Sequence, residues 1–566
     1  PFKGLTFRTM AGGYSNAARG GKYIGKSSTQ GVESGYVAPY TYIANNYGYG
    51  YSWQNIPTYQ FEVAKDHKFE VTGLMEWKKS QSDNNNMRAD GQALDYYLFH
   101  NIGAAIGNKG VTSHFSQTQS LSFAGRINYS YKGRYLATFT NRWDGASHLA
   151  EGHKWEMFPA GAIAWRISSE RFMERTRTWL DDLKLRVSYG VTGNSGGMGA
   201  YSSQTGAVTY NKVSADGQVV HNAQMVAPYA NPSIGWEKSY SLDVGLDVAL
   251  LKNRITLAVD WYDTDTKDLL FKRTLPITAA ITAWGSPLQM WQNIGQTNNR
   301  GYEITLTTRN IVHKDFTWTT SVSFTHNKEK IVSLPDGDLV ASKLFEGHPV
   351  KTHYDYKYLG LWSSAEAEEA AKYGCQPGGL KIATQEKFDA DGVGDNGYHT
   401  YSETDKQILG SNTPDGIIGF SNKFTWRNFD LNIFAMARYG QMIRSSLLGW
   451  YDAGSKNQPE GIDYWLPETN EGAYFPRPGI SNTTGISSLT YVDGSFIKIK
   501  NITLGYSLPD KLLKKAGITN LRVYATAYNP FIIPIKGVLK HTDPENNGSD
   551  TFPLYKTYVF GINFSF

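Results

Sequence analysis

The chain reads as an all-β, transmembrane antiparallel β-barrel portion of about sixteen strands. Three observations predict this. The last segment, Tyr555–Phe566, alternates strictly, with Tyr558, Phe560, Ile562, Phe564 and Phe566 on one face and Thr557, Val559, Gly561, Asn563 and Ser565 on the other; period 2 is the strand signal. No run of about eighteen apolar residues occurs, so no transmembrane helix is expected, and a closed barrel is the other structure that satisfies its backbone in lipid. Long alternating strands are joined by short polar turns at one end and by long loops at the other, the asymmetry of outer-membrane barrels.

Composition is consistent with this class. Aromatics make up 14% of 566 residues, with 37 Tyr and 57 Gly. A net charge of +5 that includes 51 acidic residues is too mixed for a nucleic-acid binder. Cys375 is the single cysteine, which excludes an internal disulfide framework. No secretory signal stands at Pro1, although an exported protein needs one, so Pro1 is not expected to be the natural start.

In order, strands are expected from Gly4 to about Ala18 and from about Tyr47 to Val63. The next, after the turn Ala64–His67, carries Phe69, Val71, Gly73, Met75 and Trp77 on one face and Glu70, Thr72, Glu76 and Lys78 near the other. Strands over 114–130 and 135–142 flank the turn 131–134, and those over 155–167 and 183–193 flank a helix-like stretch. Further pairs at 236–250/255–270, 291–311/316–333 and 415–425/429–442 flank the turns 251–254, 312–315 and 426–428. The pair 495–508/520–530 flanks a helical turn at 509–516, and the final strand follows. Polar turns followed at once by alternating strands are hairpin signals. A short helix is expected around Ala93–His100. The outer loops are then about 19–46, 84–113, 196–235, 271–290, 334–412, 446–490 and 532–554, with the strand-like piece Tyr354–Trp362 inside an excursion or added to the wall. Phe69, Met75, Trp77, Ile255, Val259, Trp261, Phe316, Trp318, Leu431, Ile433, Tyr558, Phe560 and Ile562 should face lipid, and Glu70, Glu76, Asp260 and Asn563 the lumen.

Several stretches, taken together, resemble the SusC/RagA family of TonB-dependent outer-membrane transporters. They are Arg142-Trp-Asp-Gly-Ala-Ser147, Leu183-Lys-Leu-Arg-Val-Ser-Tyr-Gly-Val-Thr-Gly-Asn194 and Asn231-Pro-Ser-Ile-Gly-Trp-Glu-Lys238. Asp263–Leu270, Gln292–Glu303, Asp405–Gly410 and Asp493–Tyr506 continue the match. The resemblance implies a barrel of about 22 strands with an N-terminal plug; no plug is recognisable in this sequence, and about six strands are expected to lie before Pro1. The strand near Gly4 and the final strand are therefore expected not to pair. The resemblance also implies an importer of oligosaccharides or peptides in the cell outer membrane of a Gram-negative bacterium, working with a SusD-like lipoprotein and the TonB complex. It implies no bond-making chemistry, hence no enzyme, no catalytic residue and no cofactor. The alternatives are a passive porin, a siderophore- or vitamin-type TonB receptor or, from another class, a soluble glycan-binding β-protein. Where the family has Pro-Gly-Asp-Ile-Lys, this chain has Pro377-Gly-Gly-Leu-Lys381, without the acid.

Four local patterns invite chemistry. Gly193-Asn-Ser-Gly-Gly197 imitates a serine nucleophile loop, but glycines after a strand end make a loop and no base is identified. Asp389, Asp391 and Asp395 cluster hard oxygens as a calcium loop would, yet the spacing lacks a third acid and a distal Glu, so a solvated turn is favoured. Tyr40, Tyr42, Tyr47 and Trp53 crowd an outer region with Asn45 and Asn46, and Tyr464 and Trp465 stand in a second loop near Trp450 and Tyr451. Such rings stack on substrate or partner, or form an interfacial girdle and pack among themselves; both readings stand. A barrel predicts a measurement. The protein should stay in solution only with detergent, and its gel migration should shift on boiling; detergent-free monodispersity would instead favour the soluble class.

Overall fold

The computed structural model describes residues 3–33, 38–92, 94–204, 207–213, 219–226, 230–275, 288–384, 401–450, 462–480, 482–513, 517–535, 543–549 and 554–566. Sixteen strands form one antiparallel sheet in chain order. They are β1 (Leu5–Ile24), β2 (Tyr40–Val63), β3 (His67–Asp90), β4 (Lys109–Tyr131), β5 (Tyr135–Ala146), β6 (Trp155–Arg166), β7 (Leu180–Asn194) and β8 (Glu237–Leu250). The series continues with β9 (Ile255–Lys267), β10 (Gln296–Val312), β11 (Phe316–Ser333), β12 (Gly416–Trp426), β13 (Phe429–Tyr439), β14 (Phe496–Ser507), β15 (Asn520–Pro534) and β16 (Thr557–Ser565). The strands β1 and β16 end the order, and no ladder joins them among the described residues. The turns after β2, β4 and β12 place Ala64, Lys65, Lys132 and Arg427 in the left-handed region, as tight hairpins of matching twist require.

The chain divides into two compact units: Pro1–Trp165 with Arg186–Leu242 and Asp265–Gln296, and Arg166–Leu185 with Asp243–Thr264 and Thr297–Phe566. In the first, cross-strand register sorts chemistry by row. Met75, Phe123, Trp143 and Met157 are neighbours on one face, and Glu76, Ser122 and Asp144 on the other. The apolar face is bounded by rings. Phe61, Phe69 and Tyr129 stack at 5.0 and 4.9 Å near the short turns, and Trp77 stands eight residues beyond Phe69. Eight residues span about 26 Å of strand, or about 20 Å of height at a 40° tilt, close to the apolar band of such walls.

The second unit repeats the pattern. Trp426, Phe429 and Tyr506 make a ring cluster at 6.0 and 4.6 Å, and Phe560 is 83% exposed on the outward face. Asp430 and Arg522 pair inward at 2.6 Å. A bulge between Ile499 and Asn501 leaves Lys500 out of the ladder and reverses which residues face inward. Lys498, 1% exposed, thereby meets Asp543 at 2.5 Å and Glu545 at 2.6 Å, while Lys500 also pairs with Glu545 at 2.6 Å. Two carboxylates and a second lysine make burial of this charge tolerable.

Several boundaries differ from expectation. Residues 19–24, 40–46, 84–90 and 109–113 are ladder, not loop, with Asn45 opposite Asn85 and Asn46 opposite Asn84. Beyond the apolar band both faces meet water, so the alternation that marks a strand fades while its hydrogen bonds continue. The expected helix near Ala93–His100 is 3-10 turns at Asp95–Tyr97 and Ile102–Ala104. β15 continues to Pro534. Tyr354–Trp362 lies outside the wall, with Thr352–Asp355 paired to Gln407–Ser411 and Tyr358–Leu361 to Leu380–Ile382. These pieces form an outer module whose buried core is Tyr356, Leu380, Ile382, Tyr401, Phe475, Ile480 and Leu489.

The two faces should respond oppositely to a charge. Ile127→Arg, between the ring belts on the outward face, is expected to destabilise the wall by about 2–4 kcal/mol. Ser120→Arg, on the inner face, should stay within about 1 kcal/mol. Unfolding from lipid vesicles measures both, and equal effects would contradict the assignment of faces.

Candidate functional site

The outer, water-exposed halves of β2, β3 and β4 offer side chains whose backbone is already satisfied by the ladder. On the inner face, the Tyr42 hydroxyl donates to Asn86 Oδ1 at 2.9 Å. Arg88 lies over the Tyr40 ring, with Cζ 5.9 Å from its centroid, and pairs with Asp90 at 3.8 Å. Tyr47 and Trp53 have the opposite parity and point to the other face. Tyr47 is 55% exposed, and Trp53 Nε1 donates to Thr9 Oγ1 at 3.1 Å. Tyr40 and Tyr42 therefore share a face with Asn86 and Arg88, whereas Tyr47 and Trp53 stand with Tyr49 and Tyr51 in an outward aromatic row. A one-residue step in a strand moves a ring from one face of the wall to the other.

Below this patch the inner face holds a polar cavity of about 800 Å³, lined in part by Tyr14, Lys78, Ser80, Thr118 and Trp236. At its base Arg142 Nε donates to both oxygens of Asp144 at 2.8 Å, and its Nη2 lies 3.4 Å from Glu76. Lys78 pairs with Glu76 at 2.8 Å and Gln54 donates to the same carboxylate. Glu76 is 6% exposed, so its oxygens are saturated by the wall and unavailable to a ligand. Tyr14, by contrast, is exposed and bonds Ser80 at 2.8 Å, which leaves its ring free to stack.

His148 lines the same cavity, but its Nε2 bonds the backbone carbonyl of Ser195 at 2.6 Å. A base serving a nucleophile would face the hydroxyl. Gly193 and Asn194 thus end β7, and the rest of the stretch through Gly197 turns away from it without a base at its serine.

Tyr464 and Trp465 belong to the outer module of the second unit. Trp465 is 2% exposed and covers Gly378, where a Cβ would come within 2.5 Å of the indole. Tyr464 packs against the module core and is partly buried. These rings hold two excursions together and, as placed, present little face to a ligand. Nearby, Gly379 leaves Lys381 without an acid in its own stretch, and its partner comes from elsewhere. Lys381 pairs with Glu366 at 2.6 Å and lies 4.5 Å from the centroid of the Trp362 ring. The Cys375 thiol, half-buried, accepts from Asn482 Nδ2 at 3.5 Å, and burial pushes its pKa up. Asp389, Asp391 and Asp395 lie outside the described residues, as do Tyr36 and Tyr451. Among the described residues no group of His, Cys, Asp and Glu has metal-holding geometry.

One arrangement was not anticipated. Asn293 Oδ1 accepts from Gly235 N at 2.7 Å, while its Nδ2 donates to Gly235 O at 3.1 Å and Asp268 O at 3.0 Å. Glu237 accepts from Leu270 N and Asn194 Nδ2 at 3.1 and 3.2 Å, and Asn231 Nδ2 donates to Trp291 O at 3.0 Å. This amide collar fixes the base of the outer hairpin Leu270–Thr274/Gln289–Asn293. Apart from Trp291 its members fall in the stretches that carried the family resemblance, and the signal was there without its geometry.

Lys381, and then Ser363, hold the Glu366 carboxyl at about 2, below its ordinary 4.5. A depressed carboxylate contributes stability above its unfolded value and loses it as pH falls. The module should therefore loosen as pH drops from about 4.5 through 2. Hydrogen exchange in residues 358–382, corrected for intrinsic rates, should rise at pH 3 relative to pH 6. Glu366→Gln should flatten that contribution; an unchanged pH response in the variant would count against the pair.

A family profile described as "TonB dependent receptor-like, beta-barrel" matches residues 4–529. TonB-dependent receptor P3 of Formosa agariphila is 31% identical, over 100% of this chain and 56% of its own. TonB-dependent receptor SusC of Bacteroides thetaiotaomicron is 29% identical, over 96% of this chain and 53% of its own. The chain thus spans about half the length of these curated relatives. In fold it is similar to the structure of the RagAB peptide transporter, with a TM-score of 0.82 at 23% identity, covering 100% of this chain and 60% of that one.

Proposed function

Because the chain belongs to the TonB-dependent receptor β-barrel family, we propose that it forms part of the wall of an energised outer-membrane importer of oligosaccharides or peptides. The family match over residues 4–529 carries this reading, and the sixteen-stranded sheet with polar inner and apolar outer faces agrees with it. The wall contributes position and selectivity. Some charges on its inner face are paired within the sheet, as in Glu76 with Lys78 and Arg142. Tyr40, Tyr42 and Tyr14, with Asn86, combine exposed or half-buried rings and amides, the mixture that grips a sugar ring or a peptide. A SusD-like lipoprotein would meet the outer loops, and TonB would act through a plug. Similarity to SusC and to RagAB is what brings a partner lipoprotein and cargo of this size into the proposal.

The test uses the full-length protein in cells lacking other large-solute importers, with fluorescein-labelled maltoheptaose and a labelled decapeptide mixture as probes. Uptake of one probe should collapse with a protonophore or without TonB. Tyr40→Ala/Tyr42→Ala should weaken its binding about 10-fold or more, since each stacked ring contributes about 1 kcal/mol, while heat-modifiable migration is kept. Uptake that ignores the protonophore would instead identify a passive porin, and uptake confined to iron chelates a siderophore-type receptor.

A further inference from the structure

The outward face of the first unit is not uniformly apolar. Gly73 lies beside Gly125, Gly125 beside Asn141, and Asn141 beside Pro159, one cross-strand row across β3 to β6. The row falls between the belt of Phe69 and Tyr129 and the level of Trp77. Of the two adjacent glycines, Gly73 is covered by the Pro57 ring, 3.2 Å from where its Cβ would stand, whereas a Cβ on Gly125 would meet nothing within 4 Å. The result is a hollow of about 830 Å³ rimmed by Phe7, Val71, Phe123, Ile127, Phe139 and Trp143.

Two amides line this apolar hollow. Asn55 Nδ2 reaches only the thioether of Met75, at 3.7 Å. Asn141 Oδ1 also lacks a hydrogen-bond partner but is covered by the wall itself, so Asn55 is the amide that an occupant would meet. An unsatisfied amide facing hydrocarbon costs several kcal/mol, because no water is there to solvate it. An occupant must therefore be apolar over most of its length, narrow enough for a depression, and able to hydrogen-bond part-way along. A second copy fits less well: a two-fold contact is isologous, so it would set hollow against hollow and leave a void without dispersion contacts.

We propose that this hollow is a lipid site that takes a hydroxylated acyl chain, the chain lying over Gly125 and against the Pro57 ring and its hydroxyl accepting from Asn55 Nδ2, with Asn141 beside it. The site lies on the opposite face of the wall from the candidate cargo patch, and its test involves no transport.

The full-length protein is reconstituted into nanodiscs with equal amounts of a 3-hydroxytetradecanoyl lipid and its tetradecanoyl counterpart, and retained lipid is read by native mass spectrometry after mild activation. The wild type should keep the hydroxylated lipid about tenfold over the plain one. Gly125→Leu, whose side chain has open space to occupy, should lose the retained lipid at unchanged heat-modifiable migration. Asn55→Leu should keep a lipid but lose the tenfold preference. Equal retention of both lipids by the wild type, or full retention of the hydroxylated lipid in Gly125→Leu, would overturn the proposal. So would a lipid-free dimer that Gly125→Leu converts to monomer, since a second copy would then be the occupant.

Discussion

Everything in this wall follows from one requirement. In hydrocarbon a backbone N–H or C=O has no water to turn to, so each must be paired within the sheet. Nearest-neighbour antiparallel pairing in chain order meets that requirement with the least loop closure, and the sixteen strands follow it without a crossover. Pairing then fixes the pleat, and the pleat gives each strand two environments on alternate residues. A residue's function in the wall is set first by parity. Trp143 and its neighbours Arg142 and Asp144 show this within three residues: the indole goes outward with Phe123 and Met157, the ion pair inward toward Glu76.

The inner face meets a second constraint, since a half-buried charge is costly unless it is paired. Glu76 is held by Gln54, Lys78 and Arg142, and Asp430 by both arms of Arg522. Such saturation removes these groups from recognition and leaves it to neutral rings and amides. Where the wall must bury an unusual group it alters the register. The bulge at Lys500 turns Lys498 inward, to carboxylates more than forty residues later in the chain.

How much of this was legible in the sequence depended on whether a period existed to be read. Phe69 to Trp77 and Tyr558 to Phe566 alternate because one face sees lipid, so those strands and their faces could be assigned from residues alone. Above the lipid the alternation ends, and the outer halves of β2, β3 and β4 were read as loop although their ladders continue. Tyr42 and Tyr47 looked alike there, and only the register shows that they face opposite ways. Trp465 was a plausible ligand platform because a loop carries no pattern that separates a buried indole from an exposed one. Lys498 depends on a bulge and a distant loop. The Asn293–Gly235 pairing joins stretches already singled out, but no spacing rule says that an amide will imitate a strand.

The outer excursions carry the same logic to its end. A loop of some eighty residues cannot be ordered by its anchor points alone, because the entropy of fixing each residue is about 1–2 kcal/mol. It needs a core, and here Tyr356, Tyr401, Phe475, Leu489 and the covering Trp465 supply one. Aromatics in such a module are committed to packing, and the closeness of Trp465 to Gly378 shows how tightly. A ring on the extended ladder of β2 is under no such demand, since hydrogen bonds to β1 and β3 already order its backbone. Strand positions such as Tyr40 and Tyr42 thus hold a side chain in place without burying it, which the packed rings of the outer module do not.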